Sequence, residues 1–285
     1  MSANEPTTPQ SDHAVEVAAG DRFAFGENWR RFLELLDPER IAAAEDSLRT
    51  MLEVDDLRGT RFCDVGSGSG LFSLAARNLG ATVHSFDYDP DSVACTAELR
   101  RRYHPDDPYW TVEEGSVLDG SYLAGLGTFD VVYSWGVLHH TGHMYDAIDA
   151  VTRLVTPGGQ LFIAIYNDQG VATKVWTRVK RSYNRAGPVG KQLIVGGCLV
   201  HTAATTVAGD GYRIATHQPR KTRRGMDPRR DVVDWVGGWP FEVARPEEIL
   251  AFGRSRGFSL ERLTTCGGRQ GCNEFVFRRA AEGTS

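Results

Sequence analysis

Cysteine is scarce in this chain of 285 residues, and its spacing matches no metal site. There are five cysteines, an odd number, and no two of them form a C-x-x-C pair. A structural zinc site needs closely spaced thiolate or imidazole ligands. The pattern therefore predicts no metal, and it favours the reducing cytoplasm over an oxidising compartment. The cysteines are Cys63, Cys95, Cys198, Cys266 and Cys272.

Long apolar runs are also missing. The most apolar stretch, 193–207, is too short and too rich in Gly, Thr and His to predict stable membrane insertion. Residues 1–19 are polar and lack the charged-then-apolar order of a signal peptide. We therefore expect a cytoplasmic protein in which residues 1–20 form a disordered tail.

Acidic residues are few in one part of the chain. Residues 169–230 contain thirteen Lys or Arg and two Asp or Glu, a net charge of +11, although the whole chain carries −5. Such a split predicts a basic surface over an acidic body. That surface could attract an anionic small-molecule acceptor or RNA, but no RNA-binding module accompanies it. The charge is densest at Arg220, Lys221, Arg223, Arg224, Arg229 and Arg230.

What the chain does contain is a glycine loop at the end of a short apolar strand. Gly66, Gly68 and Gly70 follow the strand pattern of 61–65 at alternate positions. Glycine permits backbone angles closed to other residues and leaves no side chain between the loop and a ligand. A dinucleotide fingerprint would need a third glycine where Leu71 stands. The loop therefore predicts a small-molecule site of another kind, at the carboxyl end of a strand.

Strand and helix patterns alternate from 61 to about 166, and Asp89 is the expected cap of a helix that begins at Pro90. Alternation at this length predicts an α/β fold with a parallel sheet and helices on both faces. The pattern then breaks for a basic helical insertion, and one helix and two strands complete the core. We therefore predict a core at 21–166, an insertion at 167–243 and the completion of the core at 244–285.

In the order of its motifs the chain resembles the class I S-adenosylmethionine-dependent methyltransferases. The first motif of that family reads acid-x-G-x-G-x-G, which runs from Asp64 to Gly70 here. After the fourth strand, the run from Val137 to His140 is similar to the V-L-H-H segment of ubiquinone- and menaquinone-type members. The resemblance implies a Rossmann-like, seven-stranded, mostly parallel sheet with a helical cap inserted after strand 5. It also implies S-adenosyl-L-methionine as the cofactor.

The resemblance further implies a cofactor site. Asp87 would accept hydrogen bonds from both ribose hydroxyls, and Asp64 would hold either the glycine loop or the cofactor amine. Ser116 replaces the family's adenine-binding acid, so that contact could pass to main chain or to Asp119. Trp29 could stack over the sulfonium or pack in an ordinary core. The expected cofactor-binding residues are Trp29, Asp64, Gly66, Ser67, Gly68, Gly70, Asp87, Tyr88, Ser116, Val117, Ser134 and Trp135.

The acceptor side and its catalytic residues are expected at His139, His140 and Tyr166. A neutral imidazole can take a proton from a phenol, hydroxyl or ammonium as the methyl group arrives, although these histidines could instead cap a helix or pack. The expected function is O- or N-methylation of a small or medium organic acceptor in biosynthesis, with C-methylation as a third option. An RNA methyltransferase and a non-catalytic cofactor-binding protein are the alternatives. Nothing in the sequence indicates the oligomeric state.

Overall fold

A computed structural model describes residues 12–26, 33, 36–215 and 228–281. In the core, strands and helices alternate as the sequence predicts. The strands are β1 (Arg61–Val65), β2 (Thr82–Asp87), β3 (Trp110–Glu114), β4 (Phe129–Trp135), β5 (Val155–Tyr166), β6 (Phe258–Thr264) and β7 (Cys272–Arg279). The helices are α1 (Asp12–Ala19), α2 (Pro38–Leu52), α3 (Leu71–Asn78), α4 (Pro90–Tyr103), α5 (Gly120–Leu126), α6 (Met144–Arg153), α7 (Val171–Arg185), α8 (Pro188–Ala215), α9 (Pro228–Gly237) and α10 (Pro246–Ser255).

The strands form one seven-stranded sheet in the order β3-β2-β1-β4-β5-β7-β6. Strands β1 to β5 pair in parallel, and β7 runs antiparallel to both of its neighbours, β5 and β6. The direction of winding reverses between β1 and β4, and open α/β sheets bind ligands at such a reversal. The predicted Rossmann-like, mostly parallel sheet is confirmed.

Apolar side chains cover both faces of the sheet, because successive residues of a strand point to opposite faces. One apolar cluster contains Leu48 of α2, Leu74 of α3 and Leu99 of α4. A second contains Ile148 of α6 and Ile249 of α10. Helices on both faces bury the parallel strands and hold their carboxyl ends in a fixed row.

Two helix starts that border the glycine loop follow from local sequence. Helix α3 begins directly after Gly70, whose φ of +78° turns the chain from loop to helix. Helix α4 begins at Pro90, and Asp89 caps it by accepting a hydrogen bond from the amide of Asp91 at 2.9 Å. Proline suits this position because its φ is preset and its absent N–H would have no partner in the helix. The predicted cap is confirmed.

The chain divides into two compact units. The sheet unit combines Ala24–Thr173 with Pro240–Ser285. The helical unit combines Lys174–Trp239 with the described part of Met1–Phe23. None of the helices within the described residues has the length and apolar character that crossing a membrane requires.

The helical unit has a small apolar core of its own. Tyr183 of α7, Val195 of α8 and Val236 of α9 are buried in it. Lys180 is buried as well, with Nζ 4.0 Å from the centre of the Trp235 ring. Burial lowers the pKa of this amine to about 7. One cation of the predicted basic surface therefore points inward, and the dense run at 220–224 lies outside the described residues.

The prediction of a disordered tail over residues 1–20 is wrong for its second half. Residues Asp12–Ala19 form α1, in which His13 is buried. The helix ends at Gly20, which has a φ of +75°, and Arg22 beyond it pairs with Glu16 at 2.6 Å. A few tertiary contacts are enough to order a polar helix of this kind, and residue composition alone does not reveal them. Residues 1–11 lie outside the described part of the chain.

Candidate functional site

Three glycines turn the chain between β1 and α3. Gly66, Gly68 and Gly70 have φ angles of +75°, +54° and +78°, which residues with a Cβ rarely adopt. A Cβ on Gly66 would lie 2.4 Å from the side chain of Val137, and a Cβ on Gly70 would lie 2.9 Å from Cα of Thr96. The loop therefore runs closer to its neighbours than any side chain would permit.

The glycine loop is fastened to β2 and α4. The amides of Gly66 and Ser67 donate to the carbonyl of Phe86 at 2.9 and 3.1 Å. The Ser67 hydroxyl lies 2.9 Å from Oγ1 of Thr96, which also donates to the Gly68 carbonyl at 3.3 Å. The sequence analysis missed Thr96, because a threonine inside a helix carries no motif signal.

Asp87 ends β2 beside the loop. Its Oδ2 accepts from the amide of Gly68 at 2.9 Å, and its Oδ1 accepts from the amide of Asp89 at 2.9 Å. Burial raises the pKa of this carboxyl to about 6, and the two hydrogen bonds oppose that rise in part. A carboxylate with two acceptor oxygens at this position is suited to a pair of neighbouring hydroxyl groups. The ribose contact of Asp87 stays a prediction.

Asp64 lies within β1 and is 2% exposed. The hydroxyl of Ser73 donates to its Oδ2 at 2.5 Å. Burial raises the pKa of Asp64 to about 7; the Ser73 hydrogen bond lowers it and the charge of Asp87 raises it further. Two acids with raised pKa values at the winding reversal of a parallel sheet are typical of a functional site.

The glycine loop and the two acids suit a nucleoside that carries an amino acid with a positively charged amine. The positive-φ glycines leave main chain, without side chains, against a ligand. Asp87 supplies acceptors for hydroxyl groups, and Asp64 supplies a carboxylate for a cation.

A family model described as a methyltransferase domain matches residues 29–189, more than half of the chain. The chain belongs to this methyltransferase family. It is a class I enzyme of that family, and S-adenosylmethionine is its cofactor. The geometry of the glycine loop and its two acids agrees with that assignment.

Relatives and structural neighbours of this methyltransferase agree on the fold. The ubiquinone biosynthesis O-methyltransferase of Methylocella silvestris is 28% identical over 183 residues, which cover 59% of this chain and 69% of the relative. A tRNA U34 carboxymethyltransferase of Pseudomonas syringae is 36% identical over 108 residues, 37% of this chain and 32% of the relative. The crystal structure of the magnesium protoporphyrin IX methyltransferase of Synechocystis with bound S-adenosylhomocysteine has a TM-score of 0.50 and 13% identity, with 96% and 90% of the two chains covered.

The adenine side of this methyltransferase departs from the family pattern, as the serine at 116 predicts. The Ser116 hydroxyl accepts from the amide of Leu118 at 3.2 Å. The Asp119 carboxylate caps α5 by accepting from the amides of Ser121 and Tyr122 at 2.9 and 3.1 Å. These bonds engage Oδ1 of Asp119. The adenine contact, by Asp119 or by main chain, stays a prediction.

Three further residues of the expected cofactor site lie in different surroundings. Val117 is buried in the apolar cluster that covers one face of the sheet. Tyr88 is half-buried, and its amide bonds to the carboxylate of Asp87. Trp29 lies outside the described residues, so its role stays a prediction.

Ser134 and Trp135 end β4, and both side chains bond to other strands of the sheet. The Ser134 hydroxyl donates to the carbonyl of Val65 at 2.9 Å. The indole Nε1 of Trp135 donates to Oε1 of Glu274 at 2.8 Å. Glu274 carried no signal in the sequence, because only the antiparallel register of β7 against β5 brings it near Trp135. The two residues thus help to fix the strand ends, and direct contact with the cofactor stays a prediction.

The loop after β4 brings the predicted acceptor-side residues together. His139 and His140 lie in one 3₁₀ turn and both are buried. The ring centre of Tyr166 is 3.9 Å from that of His139 and 5.4 Å from that of His140. Phe25 lies 5.1 Å from the ring centre of His140, and Phe241 lies 5.4 Å from that of Tyr166. We call these five side chains the ring cluster.

A segment that is distant in sequence braces the histidine loop. The carbonyl of Pro240 lies 2.6 Å from Nδ1 of His140. The amide of Glu242 donates to the carbonyl of His139 at 3.0 Å, and its carboxylate accepts from the amide of Met144 at 3.1 Å. Because a carbonyl only accepts, Nδ1 of His140 donates to it, and in the neutral form of the ring Nε2 would be the nitrogen that can accept a proton. The sequence analysis missed this brace, whose residues lie 100 positions downstream of the histidine.

Proposed function

We propose that this methyltransferase transfers a methyl group to an oxygen or nitrogen atom of a small or medium organic acceptor, with the ring cluster lining the acceptor pocket. Support comes from the O-methyltransferase relative, which matches over 59% of this chain. It also comes from the V-L-H-H loop, whose two imidazoles meet Tyr166 at the end of β5. Carbon is the third option for the methylated atom.

The contact between Gly66 and Val137 carries this proposal. Val137 directly precedes the histidine turn, and its methyl groups would lie within 2.5 Å of a Cβ on Gly66. The cofactor loop and the histidine loop are therefore in direct contact within the sheet unit. Donor and acceptor held side by side in this way would react with much of their entropy cost already met, a gain of roughly 7–11 kcal/mol in well-oriented systems.

The chain's own residues account for the rest of the chemistry. S-adenosylmethionine, when bound, supplies an activated methyl group on a sulfonium, so the protein mainly aligns the partners. Asp87 would orient the ribose, and Asp64 would neutralise the cationic end. His140, fixed by the Pro240 carbonyl, would accept the acceptor's proton at Nε2. His139 and Tyr166 would form the wall against which a planar acceptor packs.

An anionic acceptor is the favoured variety. Residues 169–230 carry a net charge of +11, and a field of this sign raises the local concentration of anions and their association rates. Among acceptors of equal shape, this charge should favour those that carry a carboxylate or another anionic group. Such a preference should weaken as salt is added, because exposed charges are screened over about 10 Å at 0.1 M.

Turnover tests the proposal. Purified protein is incubated with S-adenosylmethionine and a panel of catechols, phenols, aliphatic alcohols and amines, with and without a carboxylate group. Formation of S-adenosylhomocysteine and a methylated product is followed by mass spectrometry. Methylation of one acceptor class, lost in His140→Asn, supports the proposal. Binding of S-adenosylhomocysteine with no turnover across the panel would favour the non-catalytic alternative.

RNA is the second candidate acceptor. The tRNA carboxymethyltransferase match and the basic segment favour it, although the match covers 37% of this chain. An RNA-binding surface of this charge would lose affinity steeply with salt. Absence of binding to bulk tRNA at 50 mM salt would remove this candidate, and methyl transfer to tRNA would replace the small-molecule proposal.

A further inference from the structure

A chain of hydrogen bonds crosses the buried interior beneath the cofactor site. The indole Nε1 of Trp110 donates to the hydroxyl of Ser85 at 2.9 Å. The Ser85 hydroxyl donates to that of Ser73 at 2.7 Å, and Ser73 donates to Asp64 at 2.5 Å. All four residues are at most 2% exposed. We call this the Trp110–Asp64 relay.

The sheet register explains why these residues meet. Asp64 of β1 and Ser85 of β2 are register partners, so their side chains stand on the same face. Trp110 of β3 pairs with Val83, two residues before Ser85, and reaches the same face. Helix α3 covers that face and places Ser73 between the two strands.

The chemistry of its two ends gives the relay one direction. An indole nitrogen only donates, and an ionised carboxylate only accepts. Each serine hydroxyl must therefore accept from one side and donate to the other. Hydrogen bonds in such a chain polarise one another, and a charged acceptor at the end strengthens the whole series.

We propose that Ser73, Ser85 and Trp110 are positioning residues, which favour the ionised form of Asp64 and orient its carboxylate toward the amine of the bound cofactor. This inference rests on the cofactor site proposed above. It assigns a function to three buried side chains, none of which reaches the crevice itself. The backbone amide of Ser73, in the first turn of α3, adds a further hydrogen bond to the same carboxylate.

The surroundings of Asp64 make such support necessary. Its burial disfavours the charged form, and the nearest acid, Asp87 at the end of β2, repels it. Two other titratable side chains lie beside Asp64, and both are buried. They are Cys63, the preceding residue of β1, and Tyr133, the register partner of Asp64 on β4. On α3, Arg77 pairs with Asp107 at 2.5 Å. The relay therefore supplies the hydrogen bond that opposes burial and repulsion.

Cofactor binding should then be linked to a proton. Burial keeps the pKa of Asp64 raised, to about 7, in the free protein even with the relay in place. A cationic amine binds the ionised form, so binding releases a proton below about pH 7, and affinity falls as pH falls. Removing a relay hydroxyl raises the pKa of Asp64 further and moves this midpoint to higher pH.

The test uses S-adenosylhomocysteine as the probe in titration calorimetry from pH 6 to 9, in buffers of different ionisation enthalpy. Ser73→Ala should weaken binding about fivefold at pH 7 and by less than about 1.5-fold at pH 9, as a one-unit pKa rise requires. Ser85→Ala should move the midpoint less, and Trp110→Phe least. Ser73→Thr, which keeps the hydroxyl, should restore the original midpoint.

Thr152→Val is the matched control. It removes a buried hydroxyl that donates to the carbonyl of Asp149 at 2.6 Å, in α6 and away from Asp64. The control should leave the midpoint unchanged. Damage to packing alone would rank the variants by volume, with Trp110→Phe worst at every pH, so that order would overturn the relay.

Two negative results remain distinguishable. If the unmodified protein does not bind S-adenosylhomocysteine, the proposed cofactor site fails. If it binds, and all the variants share its midpoint and its proton release, the site stands and the relay is refuted. Thermal unfolding of each variant establishes that the compared proteins are folded.

Discussion

The residues that we propose for the cofactor side and for the acceptor side use opposite chemistry. The proposed cofactor side contains two acids, Asp64 and Asp87, which accept hydrogen bonds from Ser73 and from the amide of Gly68 and whose pKa values are raised to about 7 and about 6. On the acceptor side, His139, His140 and Tyr166 pack ring against ring. A cationic cofactor requires negative charge, whereas an acceptor that must lose a proton requires a neutral base. Gly66 of the glycine loop packs against Val137, which directly precedes the histidine turn.

This contact gives the largest expected effect. Gly66→Ala places a methyl group against Val137 in a backbone region with φ near +75°. Strain of about 1–2 kcal/mol and overpacking of about 1–3 kcal/mol should lower the free energy of unfolding together, and binding of S-adenosylhomocysteine should be lost. Urea denaturation and calorimetry measure both.

Gly136→Ala is the control for the contact. Gly136 has a φ of +77°, but nothing lies within 4 Å of a Cβ at this position. It should therefore show only the strain of about 1–2 kcal/mol and keep its cofactor affinity. Equal losses in the two variants would refute the close approach of the two loops.

A second pair of variants should separate the two sides. His140→Asn keeps an N–H for the Pro240 carbonyl but removes the nitrogen at the Nε2 position, so kcat should fall about 10²–10⁴-fold. Its affinity for S-adenosylhomocysteine should stay within about twofold, since we place His140 on the proposed acceptor side. Asp87→Asn should instead weaken the binding of S-adenosylhomocysteine about tenfold or more, as the loss of a hydrogen bond to a charged group does. Equal binding losses in both would contradict the division of labour.

The raised pKa values predict a pH dependence of stability in the free protein. Both acids bind a proton more tightly when folded than when unfolded, so their contribution to the unfolding free energy falls as pH rises from about 4 to about 7. Each carboxyl contributes at most about 1.4 kcal/mol per pH unit. Asp64→Asn should remove its share of this slope in urea denaturation at pH 5 to 8.

Asp119→Asn is the comparison variant for that measurement, because its acid has a pKa shifted in the opposite direction. The hydrogen bonds of its helix cap hold the pKa of Asp119 below its ordinary value, so its contribution is lost as pH falls. That loss falls at and below the ordinary pKa of a carboxyl, about 4, so the urea series is extended down to about pH 3. There the difference in unfolding free energy between the unmodified protein and Asp119→Asn should shrink as pH falls, whereas the difference for Asp64→Asn should grow as pH falls from about 7 to about 4. Parallel stability curves for all three proteins would show that neither acid has the environment described.

The smallest effect is expected at Trp135, at the end of β4. Trp135→Phe removes the hydrogen bond to Glu274 and should lower the unfolding free energy by about 1 kcal/mol. Affinity for S-adenosylhomocysteine should change less than about threefold if Trp135 mainly ties β4 to β7. A loss of affinity of tenfold or more would instead indicate that Trp135 contacts the cofactor directly. Calorimetry on Trp135→Phe and Glu274→Gln measures this, because the second variant weakens the same bond from its other end.

The strand positions, the cap at Asp89 and the glycine loop could be predicted because each depends on neighbours in sequence. Alternating apolar residues determine a strand, and Asp89 meets the amide two residues on. The brace on the histidine loop could not be predicted in this way. Pro240 and Glu242 lie about 100 residues from the groups they bond, and no motif marks them.

The sequence by itself therefore determined the α/β fold and the glycine loop after β1, and it placed His139, His140 and Tyr166 at neighbouring strand ends, where their rings meet. Only the tertiary structure decided which polar groups are engaged. In the structure Asp119 caps a helix, Trp135 donates a hydrogen bond to Glu274, and Asp64 ends the hydrogen-bonded relay that begins at Trp110. The reason is physical: local patterns report backbone geometry, whereas the partner of a buried polar group depends on which strands and helices pack together.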